Sequence, residues 1–85
     1  MYTLVYYVRK TKSNEVFENK YPGEEFRLKR NALHFVREIS RECYIESGYA
    51  VEDVKDGLNC YRSEKNTRGE RETTEMRIRI EKVIK

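Results

Sequence analysis

Across residues 72–82, Thr74, Met76, Ile78 and Ile80 alternate with Thr73, Glu75, Arg77, Arg79 and Glu81. A period of two predicts a strand with one buried face and one wet face that carries arginines. Residues 2–9 alternate too, with Tyr2, Leu4, Tyr6 and Val8 on one side and Thr3, Val5 and Tyr7 on the other. Aromatic and β-branched residues on both sides mark an interior strand. Ser13-Asn14 suits a hairpin turn into a second strand around residues 15–21, and Pro22-Gly23 is expected to stop it.

The period then changes. Ala32, Phe35, Val36, Ile39 and Cys43 follow at spacings of three and four, which is the apolar stripe of an amphipathic helix. Asn31 is the expected N-cap and Gly48 the stop. Phe26 and Leu28 fit either a short extended segment or the first helical turn. Residues 49–54 and 58–64 read as paired strands joined by a tight Asp56-Gly57 turn. A loop over residues 65–70 leads to the last strand. The order is ββαβββ, an α+β fold in which a single helix packs on a four- or five-stranded, mainly antiparallel sheet. The expected core is Leu4, Phe35, Val36, Ile39, Leu58, Met76, Ile78 and Ile80.

Length sets the scale, since 85 residues make one small domain, 1–85, with a modest core and no room for a deep cleft. Charged residues make up 39% of the chain, but the 18 Lys and Arg nearly balance the 15 Asp and Glu, so local patches matter more than the net charge of +3. No long apolar run suggests a membrane span or a secretory leader, and a cytoplasmic protein is expected. Cys43 and Cys60 lack metal-ligand or redox spacing and read as reduced core thiols.

One helix leaves one sheet face open. If Met76, Ile78, Leu58 and Cys60 point at the helix, then Tyr61, Arg77 and Arg79 point away, joined by Tyr7 or by Tyr2 and Tyr6 according to register. Tyr and Arg are favoured anchors of protein interfaces, and interleaved they also stack bases and hold phosphates. Opposite the apolar stripe, Arg30, His34, Arg37 and Arg41 form a basic ridge, or else a solvated face on which Glu38 pairs with Arg41. Arg62, Lys65, Arg68 and Arg71 make a basic loop interrupted by Glu64 and Glu70.

Chemistry beyond binding finds no support in the pattern. His34 is the only histidine, the four glycines form no phosphate loop, and no carboxylate pair is singled out by spacing. A non-enzymatic interaction module without metal, cofactor or small-molecule substrate is therefore expected. It would bind a protein partner or a second copy of itself, nucleic acid being the alternative. In its Lys, Glu, Asn and Tyr content the short chain resembles products of phages and mobile elements that inhibit a host protein by occupying its surface, as anti-CRISPR inhibitors do.

Overall fold

The computed structural model describes residues 1–84. It is a small α+β domain with strands β1 (Tyr2–Lys12), β2 (Glu15–Phe26), β3 (Ala50–Val54), β4 (Gly57–Lys65) and β5 (Arg71–Lys82). Between β2 and β3 runs one helix in three abutting stretches: α1 (Lys29–His34), a π-helical stretch (Phe35–Ser40) and α2 (Arg41–Glu46). The strands form a five-stranded sheet in the order β2-β1-β5-β4-β3, every neighbouring pair antiparallel.

The β5 alternation sets the faces. Leu4 pairs with Ile80, Tyr6 with Ile78 and Val8 with Met76, while Leu58 opposes Ile78 and Cys60 opposes Met76. Leu4, Leu58, Cys60, Met76, Ile78 and Ile80 with the helix's Ala32 and Val36 form the core, flanked by the partly buried Tyr2, Tyr6, Val8, Phe26, Leu33, Phe35, Tyr44 and Val51. Phe26 and Phe35 lock the helix start to the end of β2, their ring centroids 5.5 Å apart.

The helix departs from the stripe expected for it. Its buried positions are Ala32, Val36 and Ser40, whereas Ile39 is 51% exposed and Cys43 lies at the surface. On a regular α-helix, steps of four residues drift by about 40° each. The i→i+5 bonding of the π-helical stretch widens the turn and absorbs that drift, so Ala32, Val36, Ser40 and the half-buried Tyr44 stay over the sheet. Ser40 thereby lies beside the Tyr6 phenol, in the place expected for Ile39. Phe35 flanks the core rather than filling it.

Three boundaries also differ. β2 runs through Pro22 and Gly23 to Phe26, because an edge strand can leave the proline's missing N–H facing outward. A register shift beside Leu4 takes up the irregularity, and Gly23 sits so close to the Tyr6 ring that a Cβ would strike it. The helix starts at Lys29 with an extended Leu28 as its N-cap, and Asn31 N–H donates to the Leu28 carbonyl from inside the first turn. Val54 pairs with Gly57, so the β3–β4 turn is Lys55-Asp56, with Asp56 at φ 55°. Gly57 is needed for packing instead: a Cβ there would run into the Ile78 carbonyl oxygen and lie 3.1 Å from the Arg79 side chain.

Candidate functional site

The face turned away from the helix can be read as rows across the paired strands. One row is Pro22, Val5, Arg79, Gly57 and Val54; the next is Lys20, Tyr7, Arg77, Asn59 and Glu52; the third is Glu18, Arg9, Glu75, Tyr61 and Ala50. The register therefore brings Tyr7, Tyr61 and Arg77 together on this face and sends Tyr2 and Tyr6 to the helix side.

Tyr7 organises the middle of the face. Its hydroxyl donates to Glu81 Oε2, which raises the phenol above its ordinary pKa. Glu81 stands opposite Thr3, two rows away, so the ring lies along the sheet past Val5. Val5 is accordingly buried although no helix covers it. The Arg77 guanidinium lies 5.4 Å and the Lys20 ammonium 5.6 Å from the ring centroid, within cation–π range. Among the described residues, no ion pair engages Lys20, Glu75 or Arg77. Arg9 is paired with Glu18 at 3.5 Å.

Two shallow hollows flank the Glu75 and Arg77 side chains. One, of about 530 Å³, is bounded by Tyr7, Arg9, Glu18 and Lys20; the other, of about 360 Å³, by Glu52, Asn59 and Tyr61. Tyr61 is 46% exposed at the rim of the second. Charges of both signs border each: Arg9, Glu18, Lys20, Glu75 and Arg77 around the first, and Glu52, Glu75 and Arg77 around the second, with one tyrosine at each.

Arg79 shares this face, but its guanidinium is engaged by acceptors within the sheet. Its Nη1 donates to the carbonyls of Leu58 (3.2 Å) and Ile78 (2.9 Å), and its Nη2 to Asn59 Oδ1 (2.7 Å). Desolvation lowers its pKa. The guanidinium occupies the space that Gly57 leaves by lacking a side chain.

The helix ridge is divided in a similar way. Arg37 Nη2 donates to Val54 O at 2.7 Å and its Nη1 to Gly57 O, while Arg37 and Arg41 both reach Asp53, at 3.5 and 2.7 Å. Arg41 thus has Asp53 as its carboxylate, not the Glu38 expected from helical spacing. Together the two arginines pin the helix to the β3–β4 hairpin. Arg30 and His34 remain as exposed positions on this side.

The basic loop does not act as one cluster either. Arg62 stacks on the Tyr49 ring at 4.8 Å and donates to Ser47 O, tying β4 to the helix end. Arg71 donates to Ser63 Oγ, and Lys65 stands opposite it in register. The loop is shaped by Asn66, whose Oδ1 accepts from the N–H groups of Arg68 and Glu70, with Gly69 at φ 80°. Ser13 Oγ donates to Glu70 Oε2 at 2.6 Å, so the two long hairpin tips are coupled.

Sequence reasoning passed over Lys20, Glu75 and Asp53. Glu75 was available from the same alternation that singled out Arg77. Lys20 and Asp53 were not, because their neighbours depend on cross-strand register and on the helix phase. Among the described residues, no cluster of three His, Cys, Asp or Glu side chains could hold a metal ion, and no helix is long and apolar enough to cross a membrane. Fold and face together define a small α+β domain, one helix on one side of an antiparallel sheet, with a mixed-charge, tyrosine-bearing open face. No protein-family model, curated protein or solved structure matches the chain.

Proposed function

We propose that the protein is a small non-enzymatic interaction module that captures a protein partner on the open sheet face, with Tyr7, Tyr61, Glu75 and Arg77 as its anchors. The observation that carries this reading is the composition of that face. Carboxylates of Glu18 and Glu75 stand between the cations of Arg9, Lys20 and Arg77, beside two tyrosines. A phosphate backbone laid across it would meet those carboxylates, whereas a protein surface can offer both signs in return. The loss of Arg37, Arg41, Arg62 and Arg79 to internal acceptors weighs in the same direction. Such a module acts by occupancy, and stoichiometric inhibition of the captured protein is the activity that fits it best.

The test compares immobilised wild-type protein with a Tyr61→Ala, Arg77→Glu variant in cross-linking capture, alongside a salt-series titration against labelled DNA and RNA oligonucleotides. Both substitutions lie at exposed positions, so the fold should persist, which circular dichroism checks. The expected result is a protein captured by the wild type and lost from the variant. Nucleic-acid affinity that falls steeply with salt, with a log–log slope of about −4 or more negative, would overturn the reading in favour of a nucleic-acid module. Equal capture by both proteins would remove the open face from it.

A further inference from the structure

β2 is an edge strand, and every residue of it from 15 to 22 is exposed. Long uncovered edges present unpaired N–H and C=O groups and recruit further strands unless they are blunted. This edge also concentrates apolar surface, since Val16, Phe17 and Tyr21 are each about half exposed. Phe17 and Tyr21 oppose Lys10 and Tyr6 on the helix side, and Val16, Glu18, Lys20 and Pro22 lie on the open-face side.

We infer that this edge pairs with a second copy of the chain, β2 against β2 and antiparallel, with Asn19 on the twofold axis. The strand is complementary to itself in that register. Lys20 falls opposite Glu18 of the second copy and Glu18 opposite its Lys20. On the helix side Phe17 meets Tyr21 and Tyr21 meets Phe17, and Val16 meets Pro22 at each end. Opposite charges and aromatic pairs directly across an antiparallel ladder stabilise it, and like charges destabilise it.

Neighbouring registers lack this fit. An axis at Glu18 or at Lys20 sets that charge against its own copy, and an axis at Phe17 leaves Glu18 opposite Val16. A shift of one residue in the pairing would turn Phe17 and Tyr21 away from the matching face. Pro22 has no N–H to give and bounds the paired segment at each end.

The consequence is one sheet continuous across both copies, with the two helices on the same side. On the open side the middle row of one copy, Arg77, Tyr7 and Lys20, runs into Glu18, Arg9 and Glu75 of the second. Lys20 then gains a carboxylate in addition to the Tyr7 ring.

Sedimentation velocity of the full chain over a concentration series tests this, with two charge variants. Lys20→Glu and Glu18→Lys each place like charges in both charged pairs beside the axis, and each should weaken self-association by about tenfold or more. Mixed in equal amounts, the two variants regain opposite charges at every pair and should dimerise as tightly as the wild type. Generic damage to the fold could not produce that recovery. A wild type that stays monomeric up to about 1 mM overturns the inference, as do variants that dimerise unchanged or an equimolar mixture that stays monomeric.

Discussion

Deleting the same atoms at two isoleucines tests the helix phase directly. Ile78 is fully buried, paired with Tyr6 on one side and Leu58 on the other. Truncation to Ala removes three carbons there, about 2.4 kcal/mol of transfer free energy at roughly 0.8 kcal/mol per methylene. A central strand relaxes little into the void, so the total should fall at about 3–4 kcal/mol. Ile39 is 51% exposed, which halves the transfer loss. Alanine's better helix propensity returns about 0.4 kcal/mol more, leaving a net cost below about 1 kcal/mol. Urea unfolding reads both variants against the wild type. A domain of 85 residues has a total stability on the order of 5–10 kcal/mol, so Ile78→Ala should move the midpoint by a large fraction and Ile39→Ala hardly at all. If Ile39→Ala costs more than about 2 kcal/mol, the helix keeps a regular α phase and the π-helical stretch is refuted.

The remaining predictions concern single groups. Arg37→Met removes the donors to Val54 O and Gly57 O and should destabilise by about 1–3 kcal/mol; Asp53→Asn, at a more exposed ion pair, should cost under about 1 kcal/mol, and both are read by thermal melts. Cys43 is exposed, while burial raises the Cys60 thiol to about 11; native protein should therefore titrate one thiol rapidly with an aromatic disulfide reagent and the second only in denaturant, and reductant should leave the melting temperature unchanged. Burial is also the main cause that raises the Tyr44 phenol to about 12 from an ordinary 10. Its folded-state pKa lies above the unfolded one, so its contribution is full below pH 10 and is lost as pH rises from 10 to 12. The phenolate absorbance lost in a Tyr44→Phe variant should appear in the wild type together with alkaline unfolding, and its appearance well before unfolding would contradict the shift.

Much of the sheet was legible because its signal is local. Alternation in β5 alone assigns Met76, Ile78 and Ile80 to one face and Arg77 to the other, and pairing then carries Tyr61 and Tyr7 to the same side as Arg77. What failed depends on partners distant in sequence. Asp56-Gly57 carries a turn signal, yet Gly57 is needed for the approach of Arg79 and Ile78 from a strand some twenty residues on. Pro22 is a stop signal only where its N–H is needed, and the edge position of β2 removes that need. The three-four spacing of Ile39 and Cys43 fits a regular helix well, and only the drift of Ala32, Val36, Ser40 and Tyr44 relative to the sheet selects the wider turn.

The arginines show most clearly why a charge pattern underdetermines a binding surface. Arg37, Arg41, Arg62 and Arg79 look alike in sequence to Arg77, but each has an acceptor supplied by a turn or a ladder: Val54 O, Asp53, Ser47 O and Leu58 O. A guanidinium can satisfy several such carbonyls at once because its donors are fixed in one plane. In a domain with so small a core, these cross-links hold the short β3–β4 hairpin and the helix ends where few apolar contacts reach. Among the described residues Arg77 has no such acceptor, and its guanidinium lies 5.4 Å from the centroid of the Tyr7 ring, which Lys20 also approaches. Of these five arginines, four are therefore fasteners, and Arg77 is left as a charge on the open face. Position in the sheet, rather than the density of basic residues, marks the face on which a partner should be sought.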